Sequence, residues 1–165
     1  SRNKFIRNLA IKSNGNTLVL FQYVEKHGKV LYDLIKNKVH EDRKVFFVHG
    51  GVDTEDRESI RSIMEKEKDA IVVASFGTFS TGINIRNLHN IIFASPSKSR
   101  VRNLQSIGRG LRRSETKTEA VLFDIADNMQ WKKQSNYTLQ HFMERVKIYT
   151  EEKLQYKIYP VQLKE

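Results

Sequence analysis

Cysteine is absent from all 165 residues, which excludes disulfides and thiolate metal sites and fits a reducing cytosol. The five histidines, at positions 27, 40, 49, 89 and 141, show no metal-ligand spacing, so no metal site is expected within the chain. Apolar runs extend over only a few residues, too short to cross a bilayer, and the basic opening "SRNKFIRNLA" lacks the apolar core of a signal peptide. A soluble protein without a membrane partner is expected. The chain starts at Ser1 without an initiator methionine, which suggests processing or a piece of a longer polypeptide. Also missing is G-x-x-x-x-G-K-S/T. The only Gly-Lys pair, Gly28-Lys29, is followed by Val30, so the chain carries no P-loop. Acidic residues are few, 19 against 29 Lys and Arg, for a net charge of +10. That balance favours a polyanionic partner, nucleic acid or nucleotide phosphate, although an anionic membrane surface would satisfy the same charge.

The length and the 39% of hydrophobic residues suit one compact domain with a real core. Phe5, Ile6, Leu9 and Ala10 share helical spacing and predict a short opening helix. "TLVLF" reads as a buried strand after the turn signal "SNGN", and Tyr23 to Lys36 as a helix with Gly28 as its weak point. The unit then recurs. "KVFFVHGG" predicts a second strand, and "DTEDRESIRSIMEKEKD" a helix whose acidic start and lysine-rich end suit the helix dipole. "AIVVASF", "NIIFASP" and "AVLFDIAD" supply three more strands. Strands that are apolar throughout and alternate with helices predict a parallel α/β sheet covered on both faces. After Trp131, Leu139, Phe142, Met143, Val146 and Tyr149 mark a long helix, and "YKIYPVQL" a closing edge strand in which Pro160 is tolerable. The aromatics of this last part could pack into the core or stack on bases.

Ligands of such sheets bind beyond the carboxyl ends of the strands. Four loops lie there: Phe21 and Gln22, then His49, Gly50 and Gly51, then Ser75 to Asn84, then Ser95 to Ser99. In the third, Gly77 and Gly82 among Ser75, Thr78, Ser80 and Thr81 can bring backbone N–H groups and hydroxyls close to an anion, or can simply form a turn that caps the next helix. The fourth leads into a basic segment with Lys98, Arg100, Arg102, Arg109, Arg112, Arg113 and Lys117. A solvated helix face would explain several of these charges but not Gly108 and Gly110, each of which weakens a helix by roughly 1 kcal/mol relative to alanine. Arg109 and Arg112, three apart, share a face, and two guanidinium forks suit a multiply charged phosphate. Asp124 in "VLFDIAD" could be a metal-binding acid, but without a P-loop it is better read as a strand-end residue.

In order along the chain, "LVLF", "HGG" with Arg57 beyond it, "VVASFGTFSTGINI" and "QSIGRGLRR" resemble the second RecA-like domain of superfamily 2 helicases, over about residues 15 to 126. "QSIGRGLRR" is similar to the motif Q-x-x-G-R-x-x-R, and "STGINI" to T-G-x-D/N. The run "FDIADNMQWKKQSNYTLQHFMERVKIY" extends the resemblance to phage recombination and repair helicases that act on branched DNA.

The resemblance implies a RecA-like domain at about 14–130, with residues 1–13 as a connecting helix and 131–165 as a helix and strand packed on the same domain. It also implies roles. Arg109 and Arg112 match arginine fingers that reach the γ-phosphate of a nucleotide held by another domain. Gln105, Gly82 and Asn84 match residues beside the nucleotide, with Asn84 where many relatives have Asp. Phe21, Gln22, His49, Gly50, Ser75, Gly77 and Thr81, with Lys98 and Arg100, fall where the family and the local charge put contacts to a nucleic-acid backbone. ATP and Mg2+ would be held mainly by an N-terminal P-loop RecA-like domain of the same polypeptide. The other partner would be branched or single-stranded DNA, and the location the cytoplasm, that of the host for a phage protein. The same domain occurs in RNA helicases and in restriction or remodelling translocases. DEAD-box RNA helicases usually carry H-R-x-G-R where this chain has Gln105 and Ser106, which favours DNA. A non-catalytic basic α/β module that binds nucleic acid and never meets ATP remains the alternative of a different class.

Overall fold

In the computed structural model, the structure describes residues 2–49, 58, 61, 62, 64–75, 87–94 and 121–125. Helix α1 (Arg2–Lys12) leads into strand β1 (Thr17–Phe21). A π-helical turn (Val24–Gly28) then runs directly into α2 (Lys29–Lys38). Strands β2 (Val45–Val48), β3 (Ile71–Ser75), β4 (Asn90–Phe93) and β5 (Val121–Asp124) follow. Each lies inside a segment that the apolar runs predict to be a strand, because such runs can be buried on both sides.

The five strands form one all-parallel sheet in the order β2-β3-β1-β4-β5. One face packs Val19, Phe21, Val45, Ile71, Val73 and Ile92 against Ile6 and Ala10 of α1 and Leu31 and Ile35 of α2. Side chains alternate along a strand, so Leu18, Leu20, Val72, Ala74 and Ile91 point to the other face, and they are buried too. The chain moves one way along the sheet from β1 to β2 and the opposite way from β2 to β3. With right-handed crossovers, the two connections lie on opposite faces. Residues 58, 61, 62 and 64–66, between β2 and β3, are helical, and Met64 among them is fully buried. This is the doubly covered parallel sheet that the alternation of strands and helices predicts.

The helix expected over Tyr23 to Lys36 begins with a π-turn, and Gly28 explains why the chain can make it. A β-carbon on Gly28 would sit 2.5 Å from Phe21 Cζ, so only glycine lets the turn close over that buried ring. The weak point of the helix is a site of close packing.

At the opposite, N-terminal edge, two polar side chains tie the elements together. Asn16, fully buried, donates through Nδ2 to the carbonyls of Met64 (3.2 Å), Glu67 (2.7 Å) and Asn87 (2.9 Å), and its Oδ1 accepts from Ala70 N (2.9 Å). Arg43 donates to the carbonyls of Ile11 (2.7 Å), Ser13 (2.9 Å) and Asp69 (2.8 Å) and pairs with the Asp69 carboxylate at 3.3 Å. It thereby occupies carbonyls at the end of α1 that the helix itself cannot satisfy. Burial pulls the Arg43 pKa below its ordinary value, and Asp69 partly offsets this. Gly15, at φ 93°, lies in the turn between α1 and β1; a β-carbon there would meet the His89 ring at 2.7 Å.

Candidate nucleic-acid interface

All five strands end on the same edge because all are parallel. Register places Val48, Ala74, Leu20, Phe93 and Asp124 in one row across the sheet. The next residues, His49, Ser75, Phe21, Ala94 and Ile125, form its rim. The chain leaves β1 toward β2, whereas it leaves both β3 and β4 in the opposite direction, so the topological switch opens a crevice at the end of β1, on its borders with β3 and β4. Such a crevice is where open α/β sheets take ligands.

Four of the residues expected to touch nucleic acid are described, and all four lie at or beside this rim. Ser75 ends β3 and is paired in register with Phe21. The Phe21 ring is fully buried and stacks on Phe47, with centroids 5.7 Å apart, so Phe21 offers the edge its backbone and not its ring. Phe47 also packs against His49 at 5.1 Å and Tyr32 at 5.3 Å, which holds the half-buried imidazole at the rim. Gln22, half-buried, follows Phe21 directly. Gly50, Gly77, Thr81, Gly82, Asn84, Lys98, Arg100, Gln105, Arg109 and Arg112 lie outside the described residues. The segment carrying the last five of these leaves the sheet after Ala94, at the switch point, and returns to it at β5. The expected long C-terminal helix and closing strand also lie outside the described residues.

Two rim residues escape the sequence patterns. Arg2, at the start of α1, donates through Nη2 to the carbonyls of Ala94 (2.8 Å) and Ile125 (3.2 Å), joining α1 to the ends of β4 and β5. The only sequence signal for it is the basic opening run. Tyr23, directly beyond Gln22, is 61% exposed, whereas helical spacing predicts it as the first residue of a helix.

Beside the rim, His27 Nε2 lies 3.1 Å from Asn3 Oδ1. Burial, reinforced by the Arg2 charge, lowers the His27 pKa below its usual 6.5. The folded state therefore takes up a proton less readily than the unfolded chain. Stability is full above the unfolded value and falls as pH drops through 6.5 toward the lower folded value. Replacing His27 with glutamine is expected to shrink the stability lost between pH 7.5 and 5.5, as read by urea denaturation. Equal losses in variant and wild type would refute this assignment.

A cavity of about 390 Å³ opens elsewhere, lined by Lys44, Phe46, Lys66 and Glu67. Lys44 immediately precedes β2 at the N-terminal edge, away from the rim. Among the described residues no three His, Cys, Asp or Glu side chains cluster to hold a metal, and no helix is long and apolar enough to cross a membrane.

A five-stranded parallel sheet with this order, covered on both faces, defines a RecA-like domain. Residues 1–114 match the helicase conserved C-terminal domain family, and the chain belongs to that family. The ATP-dependent DNA helicase uvsW of Enterobacteria phage T4 is 42% identical over 175 residues, covering 98% of this chain and 34% of that protein. The crystal structure of T4 UvsW superposes with a TM-score of 0.74 over 93% of this chain and 33% of that one. The C-terminal domain of the DEAD-box protein Dbp5, 14% identical, shares the fold with a TM-score of 0.65, covering 91% of this chain and 79% of that one. The resemblance carried by "STGINI" and "QSIGRGLRR" is borne out. The chain spans about a third of the length of the phage helicase it matches.

Proposed function

We propose that this chain is the C-terminal motor half of an ATP-dependent DNA helicase or translocase that acts on branched DNA in recombination, repair and replication. The observation that carries this is the Q-x-x-G-R-x-x-R run at Gln105–Arg112, inside the family match at 1–114 and on a segment that departs from the sheet's switch point. The 42% identity to a phage DNA helicase supports DNA over RNA.

Residues 14–130 form the motor domain, with 1–13 as its connection and 131–165 packed on it. Arg112 and Arg109 reach across a cleft to the γ-phosphate of ATP bound by the P-loop of an N-terminal RecA-like domain in the same polypeptide. Phosphoryl transfer spreads negative charge over the moving group, and fixed guanidinium forks stabilise that charge. Gln105, Gly82 and Asn84 line the same cleft. The residues present fit this division of labour: the chain has no P-loop, and it is rich in arginine at the motif that faces the nucleotide. ATP and Mg2+ are held mainly by the other domain, and the metal supplies charge neutralisation there.

Phe21, Gln22, His49, Gly50, Ser75, Gly77 and Thr81, with Lys98 and Arg100, hold the phosphate backbone of one DNA strand at the rim. Opening and closing of the two domains changes these contacts, so hydrolysis becomes movement along the strand. Binding is accordingly salt-dependent and largely indifferent to base sequence. The protein works in the cytoplasm, that of the host cell for a phage enzyme. The chain alone is expected to show negligible ATP hydrolysis, whereas the full-length polypeptide hydrolyses ATP when DNA is added. Turnover by the isolated chain at a rate comparable to the full-length polypeptide would overturn the proposal.

A further inference from the structure

Among the described residues two large apolar side chains are exposed, Tyr23 at 61% and Val30 at 39%, and only Tyr23 carries an aromatic ring. Its position is enforced by its neighbours. The Tyr23 carbonyl accepts hydrogen bonds from both His27 N (3.1 Å) and Gly28 N (2.9 Å). These two bonds hold its backbone extended, at φ −106° and ψ 120°, one step beyond the end of β1. The space inward is already filled. Phe21 stacks on Phe47 there, and the π-turn closes over the Phe21 ring at Gly28, where no side chain could fit. The tyrosine is thus left outside, on a fixed backbone, beyond the strand that borders the switch-point crevice.

We propose that Tyr23 is a stacking platform for an unpaired base of the DNA strand whose phosphates the rim holds, an inference that rests on the nucleic-acid role proposed above. A phenol ring has no charge to offer a phosphate, but its flat face matches any base, which suits a motor that must pass over every sequence. Lys26, exposed three residues on, supplies a positive charge for the adjoining backbone. The rim residues fix the strand through its phosphates, and Tyr23 props one base between steps.

The test is binding of the full-length polypeptide to a fluorescent oligothymidine and to an abasic strand of equal length, at several salt concentrations. Tyr23→Ala is expected to weaken oligothymidine binding roughly tenfold, and Tyr23→Phe to retain it. The slope of log affinity against log salt should not change, because no phosphate contact is lost. On the abasic strand wild type and Tyr23→Ala should bind alike. An alanine variant that binds oligothymidine as tightly as wild type would overturn the stacking role alone. So would an equal loss on both strands, or a loss of DNA-independent ATP turnover, either of which would mean that Tyr23 contacts protein. A wild type that binds neither strand would overturn the nucleic-acid reading of the rim together with it.

Discussion

Replacing Arg112 with alanine in the full-length polypeptide is expected to lower DNA-stimulated ATP hydrolysis by a hundredfold or more while leaving DNA affinity nearly unchanged. An arginine finger acts only on the charge that develops as the γ-phosphoryl group leaves, and such fingers contribute roughly 10³ to 10⁵ in rate in known NTPases. Arg112→Lys should restore little of it, because a point ammonium cannot reproduce the planar fork that meets two phosphate oxygens. Hydrolysis and DNA affinity must be recorded on the same samples. If hydrolysis persists and only affinity falls, by about one phosphate contact with a correspondingly shallower salt dependence, then Arg112 holds DNA backbone. The chain would then be a basic binding module.

Asn16→Ala should destabilise the fold strongly, by about 3–4 kcal/mol. The side chain serves four backbone groups from two separate segments, at Met64, Glu67 and Ala70 and at Asn87. Alanine would leave all of them buried beside a void. For a domain of this size that loss corresponds to roughly 10 °C in melting temperature. Asn16→Asp separates hydrogen bonding from volume. The carboxylate keeps the size and can still accept from Ala70 N, but it would face three carbonyl oxygens with nothing to donate. It should destabilise at least as much as alanine. A thermal melt in which Asn16→Asp unfolds near the wild-type temperature would show that filling the space, and not the donors, is what matters there.

The strands and their order along the chain were legible because each is a short, continuous apolar run bounded by turn residues, and a strand buried on both faces leaves that mark. The family was legible for a different reason. "STGINI" and "QSIGRGLRR" set glycine, hydroxyl and arginine residues at fixed spacings and in a fixed order, and that pattern falls inside the family match. Gly28 read as a defect of a helix because propensity is a local quantity, whereas the Phe21 ring that requires the glycine comes from the strand before it. Asn16 read only as part of the turn "SNGN", since its partners lie 48 to 71 residues away.

Sequence alone therefore determined the parallel α/β class, the lack of a P-loop and the arginine motif, all of which are set by neighbours along the chain. Tertiary structure alone decided the strand order that opens the crevice at the end of β1. It also decided the inward turn of Phe21, the outward turn of Tyr23 and the reach of Arg2 to the carbonyls of Ala94 and Ile125. Those outcomes depend on which distant groups compete for the same buried space and the same hydrogen bonds, and that competition arises only once the sheet has formed.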